Sequence, residues 1–151
     1  MNSAEFGVYF SAFGLTVSLF MYTFAPYLTS KFKDGKLLAA SLVCYIIIEL
    51  IAAFATSSYQ LYTTLLFVGM ASMVSTTSRS ILSRQVDPMD VGKIFAVLGA
   101  FSALIPNVSS PFFTIIYNFT VATMPNFYLF IIICLWLVCL ILDIFIDFYL
   151  K

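Results

Sequence analysis

The stretch Phe130-Ile131-Ile132-Ile133-Cys134-Leu135-Trp136-Leu137-Val138-Cys139-Leu140-Ile141-Leu142 contains no charge and no turn former, and its polar and apolar positions do not alternate. A membrane β-barrel strand would alternate over about ten residues. A run of this kind, extended to 127–150, has the length and apolarity of a helix crossing a bilayer, which needs about 20 such residues. Tyr45-Ile46-Ile47-Ile48 gives the same reading earlier in the chain. The composition agrees along the whole length. The 151 residues are 62% hydrophobic and 9% charged, against about 25% charged in ordinary soluble domains. Seven basic and seven acidic side chains cannot coat a soluble globule of this size. A soluble enzyme is therefore excluded. The zero net charge removes the electrostatic basis for binding a nucleic acid. The partner is the lipid bilayer.

Five spans are expected, over 6–28, 37–55, 59–77, 94–117 and 127–150, as one partial bundle covering 1–151. The fold class is all-α transmembrane. The segments between spans are polar or carry turn residues: Lys31 to Lys36 with Gly35, Thr56 to Ser58, Ser78 to Lys93 with Pro88 and Gly92, and Asn118 to Asn126 with Pro125. The first span is not read as a signal peptide, because no Lys or Arg precedes it and it is too long for an h-region. Lys31, Lys33 and Lys36, then Arg79, Arg84 and Lys93, then Lys151 carry all the positive charge. With five spans they fall on one side. By the positive-inside rule the N-terminus is outside and the C-terminus cytosolic. Asn118-Phe119-Thr120 is a glycosylation candidate in the fourth loop, on the expected outer side. Asn107-Val108-Ser109 also fits that pattern but falls mid-span.

Chemistry-bearing residues are few. No His is present, and Cys44, Cys134 and Cys139 lie in apolar runs without a CxxC pair, so they read as small buried hydrophobes. No cofactor and no metal site is expected, and no catalytic pair of an intramembrane enzyme is found. Small residues let membrane helices approach closely. Gly7, Ser11, Gly14 and Ser18 share one face of span one, and Ala96, Gly99, Ala100 and Ala103 repeat the device in span four. Span three is small and hydroxylated at Gly69, Ala71, Ser72, Ser75, Thr76 and Thr77. These faces serve tight packing or line an aqueous groove. Pro106 and Pro111 are expected to interrupt span four, with Asn107, Ser109 and Ser110 beside them. Such a break is either a static kink or a gating element like the broken helices of transporters. Glu49 is an acid well inside span two, either a proton or substrate contact or an acid reaching the interface. Asp143 and Asp147 share one face near the end of span five. Arg79 follows the hydroxylated stretch. It is either a topological charge or a planar fork suited to a carboxylate.

The segment Arg79-Ser-Ile-Leu-Ser-Arg84-Gln-Val-Asp-Pro-Met-Asp-Val-Gly92-Lys-Ile-Phe-Ala-Val-Leu98 resembles the loop between helices ten and eleven of the major facilitator superfamily. More narrowly, it is similar to solute carrier family 46, the proton-coupled folate transporter family. That family has a basic start, an acidic turn and a Gly-x-x-Phe opening of helix eleven. Ser109-Ser-Pro-Phe-Phe-Thr-Ile-Ile-Tyr117-Asn-Phe-Thr120, then Met124-Pro125, continues the likeness. The resemblance implies helices eight to twelve of a twelve-helix transporter, plasma-membrane residence and proton-coupled uptake of a small organic anion such as a folate. It implies a role for Arg79 in substrate binding or coupling. Helices one to seven, with the family's proton-coupling His and acid, have no counterpart. Lys31-Phe32-Lys33-Asp34-Gly35-Lys36 is a degenerate form of the superfamily's charged loop. Five spans are less than one bundle, with helices eight, ten and eleven supplying one cavity wall and Arg79 and Glu49 its charges. The chain is therefore expected to need the missing N-terminal half or another copy, or to come from a truncated gene model. The rival expectation is a membrane partner that does not itself transport.

Overall fold

The computed structural model describes residues 3–122, 124 and 126–149. Its described residues are helical, with α1 (Ser3–Thr23), α2 (Ala25–Lys31), α3 (Asp34–Phe54), α4 (Ser58–Tyr62), α5 (Leu65–Ala71), α6 (Met73–Gln85), α7 (Val91–Thr120) and α8 (Phe127–Tyr149). Five stretches are long and apolar enough to cross a membrane: Glu5–Thr23, Asp34–Phe54, Ser58–Gln85, Val91–Thr120 and Phe127–Tyr149. The all-helical fold with five candidate spans is what the apolar runs required.

The helix ends depart from the hydropathy boundaries. The first expected span divides at Phe24, where Pro26 opens α2. Proline lacks an N–H and fits the first turn of a helix. The third divides into α4, α5 and α6, and a capping box of Ser57 and Gln60 starts it. The segment from Ser78 does not form the expected loop, because helix α6 continues to Gln85. Arg79 therefore stands on a helix. Hydropathy falls at Ser78, yet Ile81, Leu82, Arg84 and Gln85 are compatible with helix, and Pro88 lies beyond the end, disfavouring helix just before it. At the far end of α7, Asn118 lies in the last helical turn rather than in a loop. The expected interruption of span four is also absent, since α7 runs through both Pro106 and Pro111. Each proline removes only one backbone N–H, so the helix loses the bonds to the Ser102 and Asn107 carbonyls and continues. Leu150, Lys151 and Pro125 lie outside the described residues.

α3 is the hub, packing against α8, α5 and α6, while α1 packs on α5 and α7 packs lightly on α8. In a bilayer, close van der Waals packing and hydrogen bonds must hold helices together, since lipid is as apolar as the side chains. Ala25, Leu37 and Met73 form a buried cluster, with Phe20, Met21, Leu28 and Met70 around it. Gly69 provides the α1–α5 contact, because a Cβ there would stand 2.6 Å from Phe20 Cγ. Tyr45 stacks on Trp136 with ring centroids 4.5 Å apart, joining α3 to α8. Asn126 Nδ2 donates to the Ala53 carbonyl at 2.8 Å, meeting an orphan acceptor at the end of α3. At the opposite end of α3, Asp34 accepts from Ser80 Oγ at 2.9 Å and pairs with Arg84 at 3.3 Å. Of the cysteines, Cys134 and Cys139 are exposed on α8 and only Cys44 is half-buried. The expectation of burial fails for those two, because an apolar membrane helix can turn cysteine to lipid.

Candidate functional site

Among the described residues, uncovered faces of α1, α6 and α7 carry most of the residues singled out above. On α1 the half-buried positions Tyr9, Ala12, Phe13, Thr16, Val17 and Phe20 form the ridge that turns inward. At 100° per residue, Gly7, Ser11, Gly14 and Ser18 lie on the opposite side of the helix. All four are exposed, and a Cβ at Gly7 or Gly14 would meet nothing within 4 Å. The small-residue face of α1 therefore packs against no helix among the described residues.

α7 has three faces. Ile94, Phe95, Leu98, Phe113, Ile116 and Thr120 are half-buried on one ridge, the side that meets α8. Phe101, Leu104, Ile105, Val108 and Phe112 form a large apolar face. Gly92, Ala96, Gly99, Ala103, Asn107, Ser110 and Thr114 occupy the third face, and all are exposed. A Cβ at Gly92 or Gly99 would likewise meet nothing within 4 Å. The polar groups on and beside this face bond within the helix. Asn107 Nδ2 donates to the Ala103 carbonyl at 2.9 Å, Ser102 Oγ to Leu98 at 2.7 Å and Thr114 Oγ1 to Ser110 at 2.8 Å. These bonds spend donors within the helix and leave the Asn107 side-chain oxygen, an acceptor, on the open face.

On α6, Met73 and Thr77 are buried and Ser80 reaches Asp34, so this ridge faces α3. Ser75, Thr76, Arg79 and Ser83 are exposed on other sides of the helix. Arg79 and its hydroxyl neighbours form an open, hydrogen-bonding surface with a permanent positive charge. A guanidinium on a membrane-spanning helix is costly unless it meets an anion or water.

Glu49 is elsewhere. It is half-buried on α3, close enough to Tyr45 and Tyr128 to interact electrostatically with both. Tyr128 in turn lies edge-on to Tyr117 of α7 at 6.1 Å. Glu49 thus belongs to an aromatic seam between α3, α8 and the end of α7. It does not share a site with Arg79. Arg84 contacts Asp34, Arg79 lies five residues back along α6, and Glu49 lies fifteen residues on along α3. At about 1.5 Å per residue the two are about 15 Å apart along the bundle. The tyrosine partners were not singled out in the sequence, although Tyr45 lies one helical turn before Glu49.

Two further features lie at the ends of the spans. A cavity of about 600 Å³ at the Ser57 end is lined by Glu5, Ser57, Ser58, Tyr59 and Tyr62. Ser58 Oγ donates to Glu5 there at 3.2 Å. Asp147 approaches Gly35, its Oδ1 standing 3.0 Å from where a Cβ would be. That places the Asp143 and Asp147 face beside the first turn of α3, where Lys36 lines the same small cavity. Among the described residues no group of three His, Cys, Asp or Glu could hold a metal ion.

The chain is 32% identical over 88 residues, 58% of its length, to the probable peptidoglycan muropeptide transporter SLC46 of Drosophila melanogaster. The matched stretch is 17% of that relative, so the chain spans a small part of its length. No family model matches the chain, and no solved structure matches it. Together with the five apolar helices, the match supports a transporter-family relationship for a multi-pass membrane protein.

Proposed function

We propose that the chain forms one wall of a transport pathway for a small organic anion, as helices eight to twelve of a major facilitator fold. The observation that carries the reading is the third face of α7. It is continuous from Gly92 to Thr114, made of small and polar residues, and opposite in character to the large apolar face of the same helix. A helix surrounded by lipid has no use for such a face, whereas one beside water or a second bundle does. The open faces of α1 and α6 extend the wall. Arg79 is its anion-binding group and Asn107 a hydrogen-bonding contact.

Pro106 and Pro111 act in this reading as the bend about which α7 rocks, since two ladder bonds are missing within two turns. Glu49 belongs to the coupling machinery rather than to the substrate site, because it lies in the aromatic seam. A carboxylate-bearing substrate fits Arg79. Folate is the candidate implied by the sequence resemblance, and a muropeptide is the candidate implied by the relative's name. Proton coupling, plasma-membrane residence with an external N-terminus, and operation together with an N-terminal half or a second copy complete the proposal.

The test is uptake of labelled folate and labelled muropeptide at acidic and neutral pH. Cells would express the chain alone or together with helices one to seven of an SLC46 transporter. Acid-stimulated uptake that Arg79→Ala reduces at least ten-fold supports the reading. Uptake unaffected by Arg79→Ala contradicts the role of that residue. Stable insertion without uptake in either format, with co-purification of a full-length transporter, favours a partner that does not transport.

A further inference from the structure

Two adjoining cavities meet at the break between α2 and α3. The first, of about 490 Å³, is lined by Thr29, Ser30, Lys31, Lys33, Asp34 and Arg84. The second, of about 330 Å³, is lined by Leu28, Phe32, Lys36, Leu37, Ala40 and Met70. Phe32 lines both, so the two adjoin at one aromatic side chain. Their chemistry is opposite. The first holds three cations and one carboxylate, and that carboxylate is already engaged by Ser80 and by one nitrogen of Arg84. The guanidinium keeps further N–H groups for another acceptor. Lys31 is held in place by Tyr27, its Nζ donating to the phenol oxygen at 3.0 Å.

The second cavity is apolar, and it lies on the membrane side of the first. Leu37 and Ala40 lie three and six residues into α3 from Asp34, about 4.5 and 9 Å deeper along the span. A charged pocket at the helix ends with an apolar groove running inward from it matches the shape of a lipid, with its headgroup at the surface and its chain below. We propose that this end of the chain holds one anionic phospholipid. The phosphate sits against Lys33, Arg84 and Lys31, and the start of one acyl chain lies in the groove beside Phe32. A free phosphate would leave the groove unused. A choline headgroup would bring a fourth cation into the pocket. Basic pockets between membrane helices commonly hold anionic headgroups in this way. Lys36 is not counted among the ligands, because it also faces the cavity of Asp143 and Asp147.

Native mass spectrometry of the full chain released from detergent tests the proposal, with phosphatidylglycerol or phosphatidylcholine of the same acyl chains added. One phosphatidylglycerol is retained in preference to phosphatidylcholine. Lys33→Gln leaves the Arg84–Asp34 pair standing and weakens retention about five-fold, the effect of one basic group near a membrane surface. Ala40→Phe fills the groove without removing a charge, and it also weakens phosphatidylglycerol retention. Glycerol phosphate, the headgroup without chains, fails to displace the lipid. Equal retention of the two lipids overturns the proposal, as does retention unchanged in both variants. Displacement by glycerol phosphate at lipid-like concentrations also overturns it, identifying a plain phosphate site.

Discussion

Gly69 and Gly99 are both glycines inside apolar membrane helices, and their surroundings differ completely. At Gly69 an added methyl would collide with the Cβ and Cγ of Phe20. At Gly99 it would meet nothing. The same contrast holds for the regions around them. α3, α5, α6 and α8 bury Leu37, Leu42, Val68, Met73, Leu129 and Ile133 against one another, whereas no residue of α7 is buried. The first region is a packed core in the ordinary sense. The second has faces that nothing in the described chain covers, which is why the polar face of α7 carries the functional reading.

Substitutions can sharpen that difference. The largest effect is expected at Met73, fully buried at 0% exposure in the cluster with Ala25 and Leu37. Met73→Ala leaves a cavity and costs roughly 2–5 kcal/mol, read as a fall in the unfolding midpoint in mild detergent. Gly69→Ala comes next. The clash involves the root of the Phe20 side chain rather than its tip, so α1 and α5 must separate, costing about 1–3 kcal/mol. An unchanged midpoint would show that α1 is not held by this contact. Asp34→Asn removes the pairing partner of Arg84 and alters the acceptor for Ser80. With Arg84 largely exposed, that loss is about 1 kcal/mol. Gly99→Ala reverses the sign, because it fills no occupied space and removes a helix-disfavouring glycine. It stabilises the isolated chain by up to about 1 kcal/mol. If it also impairs uptake, the face of α7 is functional surface; destabilisation would mean that another helix of the chain covers it.

The number and nature of the spans were legible because hydropathy reports directly on the bilayer. Their ends were not, because a helix continues wherever its backbone bonds can form, whatever the polarity of the side chains. The polar turns from Ser78 to Gln85 and from Asn118 to Thr120 remain helical for that reason. The small-residue faces could be read from spacing, but spacing cannot say what lies opposite them. Gly7 and Gly99 look as well suited to packing as Gly69, and only the last has a neighbour. The site residues divide in the same way. Arg79 and Asn107 are on open faces, as a transport wall requires. Glu49 is on the hub helix α3, near Tyr128 of α8 and about 15 Å along the bundle from Arg79.

The central claim is that the small and polar face of α7 meets water while the opposite face meets lipid. It is tested most directly by placing single cysteines along α7 in a background with Cys44, Cys134 and Cys139 replaced by serine or alanine. Labelling would use a small, water-soluble thiol reagent in intact membranes. The account predicts that Ala103→Cys, Asn107→Cys and Ser110→Cys react while Phe101→Cys, Val108→Cys and Phe112→Cys do not. Equal reactivity of the two sets, or reaction confined to the second, would contradict it.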